Sequence, residues 1–215
     1  MDRKQKLIGF YNYTVILTYI GVLLGFAGVL FAMNSRVMAA VICLMLAGFC
    51  DMFDGTVAST RVRTEEEKNF GIQIDSLSDL ICFGVLPAAI TCAWGRRSIP
   101  VLAVSGLYLL CGLIRLAYFN VDEMERQKYS AEPREIYLGL PVTLSALFLP
   151  LVYGASLLLC WPQAVTLTVA LGIMAVMFLL PIRFRKPGLA GKLCAVVLGV
   201  GEIVLVAAAI MKQTA

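Results

Sequence analysis

Four aspartates stand out by type and spacing. Asp51 and Asp54 lie three residues apart, Asp75 and Asp79 four apart, and each pair falls inside an otherwise apolar stretch. Both spacings bring side chains to one face of a helix. Two such helices lying side by side as antiparallel neighbours make all four carboxylates converge. Carboxylates gathered in a low-dielectric setting repel one another strongly unless cations lie among them. The chain contains no histidine, so imidazole is not available as ligand or base, and sites built on carboxylates suit magnesium, calcium or manganese. Two such ions can clamp a transferring phosphoryl group and polarise both the attacking and the leaving oxygen. Gly55 and Ala58 follow Asp54, and Gly71 precedes Asp75 by one turn. Small residues there leave a helix face open to a ligand headgroup.

The elements that must position these acids are membrane spans. Of 215 residues 60% are hydrophobic and 15% charged, with a mean hydropathy of +0.86, more apolar surface than a soluble domain of this size can hide. Seven apolar runs are expected as helices, at about 12–33, 37–58, 71–95, 99–119, 139–160, 163–182 and 191–211. They are too long for barrel strands and lack strict alternation. The expected fold is therefore all-α, a polytopic membrane bundle of six to seven transmembrane helices, one domain over residues 1–215. The uncharged run from Ile136 to Ile182 exceeds one span, and Trp161-Pro162-Gln163 divides it. Asn12 to Met33 reads as a retained first helix rather than a cleaved leader.

Placing the N-terminus in the cytoplasm puts fourteen lysines and arginines inside and four outside, namely Arg36, Arg96, Arg97 and Lys212. That bias follows the positive-inside rule. It sets the polar loops at about 59–70 and 120–135, and with them the aspartates, on the cytoplasmic side of a cell membrane. Glu65-Glu66-Glu67 reads as a solvated loop. Arg183, Arg185 and Lys186 read as a topology anchor touching anionic headgroups, and Glu202, beside Gly199 and Gly201, as a packing acid. The seven cysteines form no C-x-x-C pair and read as packing residues. The net charge of +4, without a basic block interleaved with aromatics, excludes nucleic acid as a partner. For assembly, a homodimer is the state to test.

The segment Asp51-Met-Phe-Asp54-Gly55-Thr-Val-Ala58, continued by Gly71-Ile-Gln-Ile-Asp75-Ser-Leu-Ser-Asp79, resembles the signature of the CDP-alcohol phosphatidyltransferases. That signature reads D-x-x-D-G-x-x-A-R, eight residues, then G-x-x-x-D-x-x-x-D. Ser59 takes the place of the arginine, and the stretch to Gly71 is three residues longer. Three further segments are similar to one branch, the CDP-diacylglycerol–serine phosphatidyltransferases. They are Asp75–Asp79 running on to Phe83-Gly84-Val85-Leu86-Pro87-Ala88, then Arg115-Leu-Ala-Tyr118-Phe-Asn120, and Gly139-Leu140-Pro141. In the second, Tyr118 replaces an arginine.

The resemblance implies that CDP-diacylglycerol is the donor and CMP the leaving group. It implies two divalent ions, Mg²⁺ or Mn²⁺, held by Asp51, Asp54, Asp75 and Asp79, with Asp79 also taking the proton of the attacking hydroxyl. Gly55, Ala58, Ser59 and Gly71 would border the donor, and Arg61, or else Arg63, would reach back to its diphosphate. Arg115 and Asn120 would serve the acceptor, which the branch makes serine. Glycerol 3-phosphate or an inositol phosphate is the alternative acceptor and would need a further basic pocket, to which Arg115, Arg126, Lys128 and Arg134 can contribute. A cation transporter is the reading from another class, but such sites favour the midplane and inverted repeats. Here the acids lie toward one face, and no repeat is visible.

Overall fold

A computed structural model describes residues 8–95, 98–129, 136–185 and 188–214. Of the cations behind the charge asymmetry, Arg3, Lys4, Lys6, Arg96, Arg97, Arg134 and Lys186 lie outside the described residues.

Helix α1 (Ile16–Met33) follows a short turn capped by the Asn12 side chain. Its buried face is made of small residues at helical spacing, Thr18, Gly21, Gly25, Gly28 and Ala32. A Cβ on Gly25 would stand 2.8 Å from the Cys82 sulfur, and one on Gly28 2.8 Å from the Leu86 methyls. These glycines set how closely α1 meets its neighbours. The opposite face carries Ile20, Leu23, Phe26 and Leu30, all exposed, as lipid-facing residues of a span must be. Helix α2 (Val37–Ala58) runs back along α1 and carries Asp51 and Asp54 in its last two turns.

The third span comes in three pieces. Helix α3 (Glu65–Asp79) begins six residues before the expected Gly71 start. Thr64 caps it, accepting from the Glu67 N–H while the Glu67 carboxylate accepts from the Thr64 N–H. The three glutamates read as loop thus occupy the first helical turn, where the positive end of the helix dipole favours them. A π turn (Leu80–Val85) follows, then helix α4 (Leu86–Trp94). Its cause is Pro87, which has no N–H to offer the Phe83 carbonyl and would crowd it in a regular helix. In the π turn the bonds reach one residue further, as the Leu86 N–H does to Ile81.

Helix α5 (Ile99–Tyr129) extends ten residues beyond its expected end, through an Arg126–Glu123 pair at i,i+3. A two-stranded antiparallel ribbon then joins distant loops. Strand β1 (Ile136–Leu138) pairs with β2 (Arg183–Arg185), Tyr137 opposite Phe184. Gly139 leaves the ribbon at φ +76°, and a Cβ there would stand 2.7 Å from the Phe178 carbonyl oxygen. Helices α6 (Ser145–Leu158) and α7 (Gln163–Leu179) flank the expected Trp161-Pro162 break, and α8 (Leu189–Thr214) packs on α6.

Among the described residues, seven apolar helical segments in series make this a polytopic helical membrane protein. Four of the apolar stretches, Tyr13–Met33, Val37–Ala58, Glu65–Trp94 and Ile99–Arg126, are long enough on their own to cross a bilayer; the other three are shorter. The core lies where α2, the third span, α5, α6 and α7 meet, around Leu44, Phe83, Leu86, Ile90, Tyr108, Leu149 and Leu171.

Candidate metal centre and adjoining cavity

The aspartates do converge. Asp51, Asp54 and Asp75, each partly buried, offer carboxylate oxygens that all lie within 4.8 Å of one another. Asp75 stands against Asp54, and Asp79 against Asp51, so Asp79 borders the trio rather than joining it. The arrangement has a different origin from two tightly packed antiparallel helices. Helix α1 packs along both α2 and the third span, while α2 meets that span mainly through α4 and the π turn. Along α3 the two scarcely touch, and the gap is a cavity of about 460 Å³.

Asp54 and Asp75 lie on the cavity wall with Gly55, Ala58 and Gly71. A Cβ on Gly55 would meet nothing within 4 Å, so the α2 face is open there. Ser59 does not line the cavity, and its hydroxyl donates back to the Thr56 carbonyl at 2.7 Å. Arg61 also lies off the wall, with Nη2 3.3 Å from Glu67 Oε1. Arg63 takes up the inward place. It lines the cavity, and its Nη1 would stand 3.2 Å from a Cβ on Gly71. The three extra residues of the loop and the missing Gly71 side chain make room for that approach.

Two other wall residues, Thr14 and Thr18, escaped sequence reasoning. Thr14 and Thr18 line the cavity from the start of α1, and the Thr18 hydroxyl donates to Asp54 Oδ2 at 3.4 Å. Their i,i+4 spacing in an apolar run was the available signal. Lys68 and Arg126 add two cations. Lys68 is bound by Glu65 at 2.7 Å and Arg126 by Glu123 at 2.6 Å. The turn before α1 is fastened over the α2–α3 loop and the start of α3, since Asn12 donates to Glu67 at 3.2 Å and the Tyr13 and Thr60 hydroxyls lie 3.1 Å apart.

Arg115 and Asn120 lie off the cavity wall. Arg115 is buried on α5 with its guanidinium 6.0 Å from the Phe119 ring centroid. Asn120 accepts from the Ser76 hydroxyl at 2.6 Å, and its amide faces Gln73 at 3.5 Å. It thereby ties α5 to the helix that carries Asp75.

The donor set fits a hard divalent cation. Three carboxylates within reach of one another supply oxygen ligands and the negative charge such an ion needs.

Comparison with known proteins agrees with this geometry. The family model for CDP-alcohol phosphatidyltransferase matches residues 11–181. A CDP-diacylglycerol–serine O-phosphatidyltransferase of Saccharomyces cerevisiae is 41% identical over 112 residues, 51% of this chain and 40% of its own length. An archaetidylserine synthase of Methanothermobacter thermautotrophicus is 32% identical over 156 residues, 72% of this chain and 65% of that protein. A CDP-diacylglycerol–serine O-phosphatidyltransferase of Mycobacterium leprae is 33% identical over 163 residues, 72% of this chain and 52% of its own. The chain thus spans less than two thirds of the length of each of these relatives. With the signature aspartates gathered beside a cavity and the family match running from the start of α1 to the end of α7, the chain belongs to the CDP-alcohol phosphatidyltransferase family.

Proposed function

We propose that this chain transfers the phosphatidyl group of CDP-diacylglycerol to the hydroxyl of serine and releases CMP. The observation that carries the reading is the carboxylate trio, with Asp79 against it, beside a cavity whose wall bears Arg63. Serine as acceptor rests on the names of the relatives and on the similar segments at 75–88, 115–120 and 139–141.

In this reading the serine Oγ forms a bond to the phosphorus bearing diacylglycerol, and the bond from that phosphorus to the CMP oxygen breaks. Asp79 accepts the Oγ proton. Asp51, Asp54 and Asp75, with Asp79 bordering them, would hold two divalent ions, which would supply positive charge for the diphosphate and Lewis-acid polarisation for the reaction. Gly55 and Ala58 keep the α2 wall low so that the nucleotide can lie against it. Arg63 occupies the place of the signature arginine and binds the diphosphate through a charge-assisted contact. Thr18 orients the Asp54 carboxylate. Asn120 acts from behind the wall, holding α5 against α3. The charge asymmetry supports a cytoplasmic site.

A phosphorylated acceptor needs cationic surplus beyond what the diphosphate takes up. Lys68 and Arg126 line the cavity, but each is bound to its own glutamate, which favours serine. An acceptor panel tests the proposal: purified protein with CDP-diacylglycerol and Mn²⁺ or Mg²⁺ is given serine, glycerol 3-phosphate or inositol phosphate, and CMP release is measured. Release driven by a phosphorylated acceptor and not by serine would reject it.

A further inference from the structure

Pro87 forces an irregularity whose consequences reach the aspartates. The Phe83 carbonyl cannot receive a bond from position 87, and it accepts instead from the Tyr108 hydroxyl at 2.6 Å, with the Ser145 hydroxyl at 3.5 Å. Tyr108 is 0% exposed, and its ring packs on Phe178 at 5.3 Å between centroids. Without the Tyr108 hydroxyl this carbonyl would be short of a donor in apolar surroundings, which is destabilising. Asp79 is the residue immediately before the π turn. Below the turn, α4 is locked into the core through Leu86 and Ile90, both 0% exposed. One residue more or less between that anchor and Asp79 rotates the aspartates by about 100° around the helix axis.

We infer that Tyr108 is a positioning residue, whose hydroxyl holds the π turn and thereby sets the direction in which Asp75 and Asp79 face Asp51 and Asp54. The inference rests on the metal centre proposed above, and its test separates the two. Mn²⁺ binding to purified protein in detergent is measured from the free-ion EPR signal, without substrate or turnover. Tyr108→Phe keeps the ring and removes the hydroxyl; its Mn²⁺ affinity is expected to fall on the order of tenfold, with kcat lowered more than KM is raised. Tyr108→Phe/Pro87→Ala gives the Phe83 carbonyl a backbone donor, so its thermal stability returns. The extra residue of the π turn is no longer needed there, the aspartates turn, and Mn²⁺ affinity stays below wild type. Wild-type affinity in the double variant means that the hydroxyl serves stability alone and overturns the inference, as does wild-type affinity in Tyr108→Phe. If the single variant cannot be purified, wild-type affinity in the double variant still overturns the inference, and reduced affinity supports the π turn as what sets the aspartates. A wild-type protein that binds no Mn²⁺ overturns the metal centre itself and the positioning role with it.

Discussion

Replacing Arg63 by alanine is the substitution that separates the two loop arginines. Arg63 Nη1 lies over Gly71 on the cavity wall, while Arg61 is turned toward Glu67 with its side chain 41% exposed. A charge-assisted contact to a diphosphate is worth roughly 1.5–3 kcal/mol. Arg63→Ala is therefore expected to raise the KM for CDP-diacylglycerol on the order of tenfold to a hundredfold. A surface pair such as Arg61–Glu67 is screened by solvent and contributes little, so Arg61→Ala should change that KM by less than about fivefold. Lys68→Ala is the control for general loss of positive charge, since Lys68 lies on the same wall but is engaged by Glu65. The assay is CMP release against CDP-diacylglycerol concentration in mixed micelles, with serine and metal saturating. Equal effects from Arg61→Ala and Arg63→Ala, or a larger one from Arg61→Ala, would refute the assignment and leave the diphosphate to the metal centre alone.

Asp79→Asn should abolish turnover while CDP-diacylglycerol still binds, because an amide cannot accept the serine proton; near-normal CMP release in that variant removes Asp79 as base. Asp51→Ala and Asp75→Ala should each raise the metal concentration needed for activity and lower the rate together, since both side chains belong to the trio; wild-type rates at saturating metal would contradict a shared cage. Gly139→Ala should destabilise the fold by roughly 1–3 kcal/mol, because φ is +76° and the new Cβ meets the Phe178 carbonyl. Thermal unfolding in detergent reads it, and an unchanged midpoint would count against the tight ribbon exit.

What could be read from the sequence was whatever depends on local spacing. The i,i+3 and i,i+4 aspartates carry their geometry in their numbering, and Trp161-Pro162-Gln163 marks the break between α6 and α7. The Thr64–Glu67 capping box was equally local but was hidden by reading three adjacent glutamates as solvent-loving loop. The continuation of α5 to Tyr129 was hidden likewise, because charge outside a membrane looks like loop even where Glu123 and Arg126 sit at helical spacing. The π turn had its signal in Pro87, but a proline inside a span can be absorbed as a kink or a bulge. Which one occurs depends on whether a distant donor can reach the freed carbonyl, and Tyr108 is 25 residues away. The β1–β2 ribbon and the inward turn of Arg63 are wholly non-local. No property of residues 136–138 announces pairing with 183–185, and nothing in Arg61 and Arg63 themselves says which one Glu67 will hold.

The proposed attack of the serine hydroxyl on the lipid-bearing phosphorus leaves the serine oxygen in the lipid. It is tested most directly with serine carrying ¹⁸O in its hydroxyl, purified protein, CDP-diacylglycerol and divalent metal, the products being weighed by mass spectrometry. The expected products are phosphatidylserine that retains the label and CMP that carries none, with both lost on chelation of the metal. Label appearing in CMP or in water, or CMP released without any phosphatidylserine, would contradict it.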